Sequence, residues 1–379
     1  MTARQLAYEC LLKIEQENSY SNLSIAGVLE NGVLEGADKA FFTALVYGVI
    51  ERKLTLDYNI DNYLKNPKIK PTVRTILRLG AYQILFMDKV PDHAAINESV
   101  NLAKKYANYA SGLTNAVLRK ISNEGLKLPS EDSENYLEIK YSCPTWLINM
   151  WKDAYGYDNT IGILEASLGG KPVYKRVNPL NPELYHIQDL SSQKCCEALG
   201  ALPGETIFDM CAAPGGKSFT IAEIMKNEGK ILSFDLHPHR VKLIRDGAER
   251  LGLSIIEARV GNAEEYNPDL GHADRVLCDV PCAGLGVIGR KPEIRYKSVT
   301  DIENLPLLQY NILINSARYI EKGGTIVYST CSLNPRENEE VVEKFLSNNP
   351  AFELREMKTI LPQEFNCDGF FYAVLGKVE

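Results

Sequence analysis

From about Glu205 onward the chain alternates short apolar strands with amphipathic helices, and this rhythm restricts the fold more than any other feature of its 379 residues. "TIFDM", "KILSFDL", "SIIEARV", "ADRVLCDV" and "GGTIVYST" have the length and β-branched content of buried strands. "KSFTIAEIMKN", "PHRVKLIRDGAERLG" and "DIENLPLLQYNILINSARYI" have helical periodicity. Strands alternating with helices predict a parallel, doubly wound sheet, and "FELREMKT" with "GFFYAVLGKV" predicts a terminal antiparallel pair. Ligands of such sheets sit beyond the carboxyl ends of the strands.

The rest of the chain follows a different pattern. Residues 1–125 read as an all-α domain: Leu6, Cys10 and Ile14 fall on one face, and Asp38 is expected to cap the helix of "DKAFFTALVYGVIERK". Lys65, Lys68, Lys70, Arg74 and Arg78 form a basic cluster, either a solvated helix face or an RNA contact. Residues 126–190 read as a charged linker, "NEGLKLPSEDSENY", and a mixed segment with a helix after Pro144 and a strand at "PVYKRVN". Residues 191–379 form the α/β domain.

Composition narrows the function classes. No run of eighteen apolar residues exists and the N-terminus lacks an apolar signal core, so a cytoplasmic protein without a membrane span is expected. The nine cysteines include no C-x-x-C pair and are not grouped with the five histidines, which argues against a disulfide framework and against a metal site. A net charge of −7 excludes indiscriminate nucleic-acid binding but leaves room for a local basic face.

The chemistry gathers at the strand ends. The first strand runs into "DMCAAPGGKS" (Asp209–Ser218), where small residues and two glycines let a ligand approach the backbone at a helix N-terminus. The spacing fits neither G-x-G-x-x-G nor a P-loop. The second strand ends at Asp235, suited to a ribose diol, so a nucleoside cofactor is expected; the third runs into Asn262, which suits an adenine edge. The fourth ends at Asp279-Val-Pro-Cys282 and the fifth at Cys331. Cys10, Cys195, Cys196 and Cys278 read as small core residues, whereas Cys282 and Cys331 follow their strands into polar turns, with Lys217 as a local cation. Two thiols, an acid and a nucleoside cofactor suit C5 methylation of a pyrimidine, in which a thiolate adds to C6 so that C5 becomes nucleophilic. The base must be splayed out for the thiol to reach it. The charged loop "IGRKPEIRYK" beyond the Pro-Cys turn supplies RNA-contact candidates Arg290, Lys291, Arg295 and Tyr296.

Together "DMCAAPGGKS", "FDLHPHR", "DVPCAGLG" and "YSTCSLNPRENEE" resemble the RNA 5-methylcytosine methyltransferases of the NOL1/NOP2/Sun family, and the helical N-terminus resembles a NusB-type RNA-binding domain. The resemblance implies a Rossmann-like class I methyltransferase domain that uses S-adenosylmethionine. It implies cofactor contacts from Cys211, Ala212, Ala213, Pro214, Gly215, Gly216, Lys217, Asp235, Asn262 and Asp279. It implies Cys331 as nucleophile, Cys282 in product release, and Asp279 with Lys217 activating the base. The implied partner is 16S rRNA before full assembly of the small subunit, with cytosine 967 as target and a monomeric enzyme. A tRNA substrate, or an idle RNA-binding factor of antitermination type, is the alternative. DNA cytosine-5 methyltransferases use the Pro-Cys thiol as nucleophile instead, which would reverse the two cysteines. Two departures stand out. Asn262 replaces the family's usual aspartate, and the stretch between "PVYKRVN" and "IQDLSSQ" is too short for a complete RNA-recognition-motif-like subdomain.

Overall fold

The computed structural model describes residues 1–17 and 21–378. It divides into two compact units, one of residues 1–150 with 291–296, the other of residues 151–290 with 297–379.

The first unit is helical. Its helices are Ala3–Glu17, Ser21–Glu30, Gly36–Glu51, Lys53–Asp61, Pro71–Phe86, Asp92–Tyr106, Ser111–Glu124 and Tyr136–Tyr141, followed by the start of Thr145–Tyr155. Apolar residues three and four apart bring Ala7, Phe42, Leu45, Leu56, Ile76, Leu77 and Leu118 into one core with no exposure. Pro71 opens its helix at the first turn, where no amide donor is needed. Asp38 lies inside the first turn rather than at the cap, which is Glu35; there its charge still favours the helix N-terminus.

The two arginines of the basic cluster are held in internal pairs, while Lys65, Lys68 and Lys70 are exposed. Arg78 is buried and forks onto both Asp57 oxygens at 2.8 and 2.7 Å, with Glu15 at 3.0 Å. Arg74 pairs with Asp61. Neither guanidinium is left for phosphate.

The segment 126–190 is folded beyond its first residues. After the helices Tyr136–Tyr141 and Thr145–Tyr155 come Tyr157–Ala166 and an antiparallel hairpin, β1 (Lys175–Val177) with β2 (Tyr185–Ile187).

The second unit is built on a seven-stranded sheet. Its strands are β3 (Thr206–Asp209), β4 (Lys230–Asp235), β5 (Ile256–Val260), β6 (Ala273–Asp279), β7 (Ile320–Thr330), β8 (Phe352–Ile360) and β9 (Phe370–Lys377), in the order β5-β4-β3-β6-β7-β9-β8. The first five are parallel; β8 and β9 form the antiparallel pair that the sequence predicts, and β9 also joins β7 antiparallel. Strands buried on both faces read as continuous apolar runs. Phe208, Leu232, Val276 and Tyr328 fill one side, and Ile207, Ile231, Leu277 and Val327 the other. The order reverses at β3, which pairs with both β4 and β6, and the crevice of such a sheet opens beyond that point.

Candidate active site

The loop after β3 is shaped by its glycines. Gly215 has φ +111°, and a Cβ there would lie 2.3 Å from the Phe219 ring. A Cβ on Gly216 would meet Gln188 Nε2 at 3.9 Å, an ordinary contact, so the backbone at Gly216 is not crowded. Beside it lies a cleft of about 210 Å3 lined by Cys211, Ala212, Ala213, Pro214, Gly216 and Lys217, with Asp279 and the hairpin-following residues Gln188, Asp189 and Ser192. The N-terminus of the helix Gly216–Ile224 faces it. At the end of β4, Asp235 is 4% exposed; it accepts a hydrogen bond from the His237 amide at 3.1 Å and lies 3.3 Å from Arg240. The neighbouring Leu236 is 56% exposed, an unusual state for leucine at a strand end and one that sequence patterning does not reveal. Asn262 lines a separate, wider cleft with Phe234, Val260 and Tyr266. Its amide is engaged in its own turn, accepting from the Glu264 N–H at 3.1 Å and donating to Glu265 at 2.9 Å.

Strands β6 and β7 are neighbours in register, Asp279 opposite Ser329, so the two cysteine turns leave the sheet side by side. Cys282 Sγ and Cys331 Sγ lie 3.2 Å apart and both are partly exposed, whereas Cys10, Cys143, Cys195, Cys196, Cys278 and Cys367 are buried. The hydrogen bond to Cys331, then burial, pushes the Cys282 thiol well above its ordinary range. Asp279 accepts from Ser329 Oγ at 3.0 Å and from Lys217 Nζ at 2.6 Å. Burial pulls Lys217 toward the neutral form, but the Asp279 carboxylate, with Cys195 and Cys196 next to it, outweighs this, so the net shift is upward and the ammonium is held.

Asp209 underlies this site without exposure to solvent. Ser218 donates to it at 2.6 Å, yet burial dominates and pushes its carboxyl up to about 7. A folded-state value above the ordinary one near 4 means the native protein binds the extra proton. This stability contribution is full below about pH 4 and is lost as pH rises through 7. Its ceiling is about 4 kcal/mol, from three units at 1.36 kcal/mol each. Urea unfolding of Asp209→Asn should show a flatter pH dependence of stability between pH 4 and 7 than wild type; an unchanged slope refutes the assignment.

The RNA-contact candidates are mostly used internally, which corrects the expectation for three of them. Arg295 is fully buried and donates to the carbonyls of Glu51, Tyr141 and Ser142 at 3.1–3.3 Å. The Tyr296 hydroxyl donates to the Ile50 carbonyl at 2.8 Å. Arg290 is held by Asp368 at 2.8 and 2.9 Å, Asp189 at 2.7 Å and the Pro172 carbonyl at 3.0 Å. A guanidinium desolvated among acceptors is a structural cross-link. Lys291 alone of the four is exposed. Among the described residues no group of three or more His, Cys, Asp or Glu is placed to hold a metal ion, and no helix is long and apolar enough to cross a membrane.

Comparison with known proteins agrees with this geometry. The family model "16S rRNA methyltransferase RsmB/F" matches residues 197–376, and that of the NusB family matches residues 1–123. The probable ribosomal RNA small subunit methyltransferase B of Bacillus subtilis (strain 168) is 36% identical, with 99% of each chain covered. That of Synechocystis sp. is 34% identical over the whole of both chains. The Bacillus alignment spans 443 positions, more than the 379 residues present here, so that relative carries segments without a counterpart. Among solved structures, PH0851 superposes with a TM-score of 0.79 at 25% identity, covering 100% of this chain and 99% of that one. A methyltransferase homolog protein from Pyrococcus horikoshii, 24% identical, shares the fold with a TM-score of 0.56 over 65% of this chain and all of its own. With full-length relatives above 30% identity and both domain models matched, the chain is an RNA methyltransferase and belongs to the ribosomal RNA small subunit methyltransferase B family.

Proposed function

We propose that the protein methylates C5 of a cytosine in 16S rRNA, cytosine 967 by the family resemblance, through a covalent bond from Cys331 to C6. The observation that carries this reading is the thiol pair. The two sulfurs share a hydrogen bond across 3.2 Å in which either could donate, and the upward shift of the Cys282 thiol favours Cys282 as the protonated partner and Cys331 as the acceptor. A thiolate stabilised by a donated hydrogen bond is the nucleophile. This favours Cys331 over the Pro-Cys thiol in attack. Cys282 then serves release of the methylated product, near the sulfur that must leave.

S-adenosylmethionine, when bound, supplies an electrophilic methyl group. The glycine loop suits it: Gly216 lines the cleft with no side chain of its own, and the helix N-terminus favours a carboxylate. Cys211 through Lys217 and Asp279 line that cleft and hold the amino-acid part, Asp235 the ribose diol, and Leu236 and Asn262 the adenine. Asp235 must exchange Arg240 for the diol, and Asn262 must release Glu265. Asp279, oriented by Ser329 and Lys217, accepts from the cytosine amino group, and the Lys217 ammonium offsets the negative charge that develops on the ring when the thiolate adds to C6. After methylation a water molecule takes the C5 proton, the C5–H electron pair restores the C5–C6 double bond, and the C6–S bond breaks to return Cys331 as a thiolate. The helical domain and Lys291 supply RNA contacts, and the protein acts as a monomer in the bacterial cytoplasm on rRNA not yet fully assembled.

The test is methyl transfer from labelled S-adenosylmethionine to 16S rRNA transcript, with bisulfite mapping. About one methyl group per transcript at a single cytosine is the expected result. Methylation of tRNA but not of 16S rRNA would move the substrate to the alternative, and no transfer to either would remove the reading.

A further inference from the structure

We propose that Glu337 is a positioning residue that sets the spacing of the two active-site thiols, an inference that rests on the thiol roles assigned above. The β6–β7 pairing ends at Asp279 and Ser329, before either cysteine, so the strand ladder does not itself fix the turns that follow. Glu337 lies in the turn Pro335–Glu337 and has no exposure to solvent. One carboxylate oxygen, Oε2, accepts from the Ala283 amide at 2.7 Å and from Gln309 Nε2 at 3.0 Å. The other, Oε1, accepts from Ser332 Oγ at 2.8 Å and from Asn334 Nδ2 at 3.0 Å.

Ala283 directly follows Cys282, and Ser332 directly follows Cys331. Each oxygen therefore holds one thiol turn. Gln309 extends the grip by donating also to the Pro281 carbonyl at 2.9 Å, so both peptide groups flanking Cys282 are fixed. A second tie runs from the Gly286 amide to the Cys331 carbonyl at 2.9 Å. There a Cβ on residue 286 would lie 1.9 Å from the Gly369 carbonyl oxygen, which leaves glycine as the residue that fits.

The chemistry of the four partners selects the side chain. All four donate, and a carboxylate offers two oxygens that only accept. An amide in its place turns an NH2 group toward two donors and pushes one turn away. The thiols then no longer share a hydrogen bond, and Cys331 loses the donor that favours its thiolate. The titratable and charged groups around the Cys282 thiol are Cys331, Glu337 and Asp279, with Tyr328 on β7, while Lys297 donates to the Ala283 carbonyl at 3.0 Å. Among these, Glu337 is the one whose two oxygens reach both turns.

The test uses the full chain as wild type, Glu337→Gln and Gln309→Leu. Iodoacetamide alkylation of each cysteine is followed by mass spectrometry across pH, beside methyl-transfer kinetics and thermal melting. In wild type Cys331 should react at lower pH than Cys282, in two separate steps. In Glu337→Gln the steps should converge to within about one pH unit. The turnover number should fall about 100-fold, the loss expected for a displacement of about 1 Å, with the KM for S-adenosylmethionine unchanged within about 2-fold. Gln309→Leu removes one strut and should shift both readouts in the same direction by a smaller amount, about 10-fold in turnover. It decides the matter if Glu337→Gln does not fold. Separate wild-type-like steps in a folded variant, or unchanged turnover, overturn the proposal. The thiol titration needs neither RNA nor methyl donor, so a wild type that fails to methylate rRNA counts against the proposed substrate and not against this role.

Discussion

Cys331→Ala should lower methyl transfer to 16S rRNA by at least about 10^4-fold, the scale on which loss of a covalent nucleophile is felt. It should also give no protein–RNA band on a denaturing gel. Cys282→Ala should behave differently, accumulating a covalent band in the presence of S-adenosylmethionine because attack survives and release does not. The contrast follows from the geometry of the pair. The thiols are 3.2 Å apart, so either could reach the same ring atom; the upward shift of the Cys282 thiol is what favours Cys331 as the proposed attacking sulfur. The gel reads this directly, since only the attacking residue is needed for the adduct. If Cys331→Ala forms the band and Cys282→Ala does not, the roles are reversed and the arrangement is that of the DNA enzymes.

The second large effect is expected at Lys217 and Asp279. Their side chains are 14% and 26% exposed and their charged atoms are 2.6 Å apart. A pair so little hydrated is costly to break from one side, because the partner remains as an uncompensated charge; about 3 kcal/mol is the scale for each single change. Lys217→Met should therefore destabilise the methyltransferase unit, and Asp279→Asn should do so less, since the amide oxygen can still accept from the ammonium while its NH2 group donates to the Ser329 hydroxyl. Combining the two changes should cost less than the sum of the singles, which urea unfolding and a double-mutant cycle measure. Simple additivity would show that the pair is not coupled. Turnover should fall by about 10^2–10^3 in Asp279→Asn, the usual loss when a group facing developing charge is removed. The KM for RNA should move little.

Much of the site is legible in the chain because strand ends are legible. Short β-branched runs broken by glycine, proline and asparagine locate where a parallel strand stops, and ligands of this fold gather there. Asp235, Asp279, Cys282 and Cys331 were all found in this way, and the structure sets each of them at a strand end or in the turn that follows. The loop "IGRKPEIRYK" shows where such reading fails. Arg290, Arg295 and Tyr296 have the composition of an RNA contact, but composition does not record that carbonyls and carboxylates already surround them. Arg74 and Arg78 were misleading for the same reason, their partners Asp61, Asp57 and Glu15 lying as many as 63 residues away in the chain. Glu337 sat unremarked in "NPRENEE" because an acid in a polar turn is ordinary until its four donors are counted.

By itself the sequence determined the helical first unit, the alternation that forces a parallel sheet, the antiparallel close and the turns that bear the reactive groups. Those are properties of local periodicity and of backbone preference, which neighbouring residues carry. Only the tertiary structure decided that β6 and β7 lie side by side, that one thiol donates to the other, and which charges face water. Strand order and burial depend on residues far apart in the chain. A hydrogen bond 49 residues long, such as that between Cys282 and Cys331, exists only once the sheet has brought its ends together.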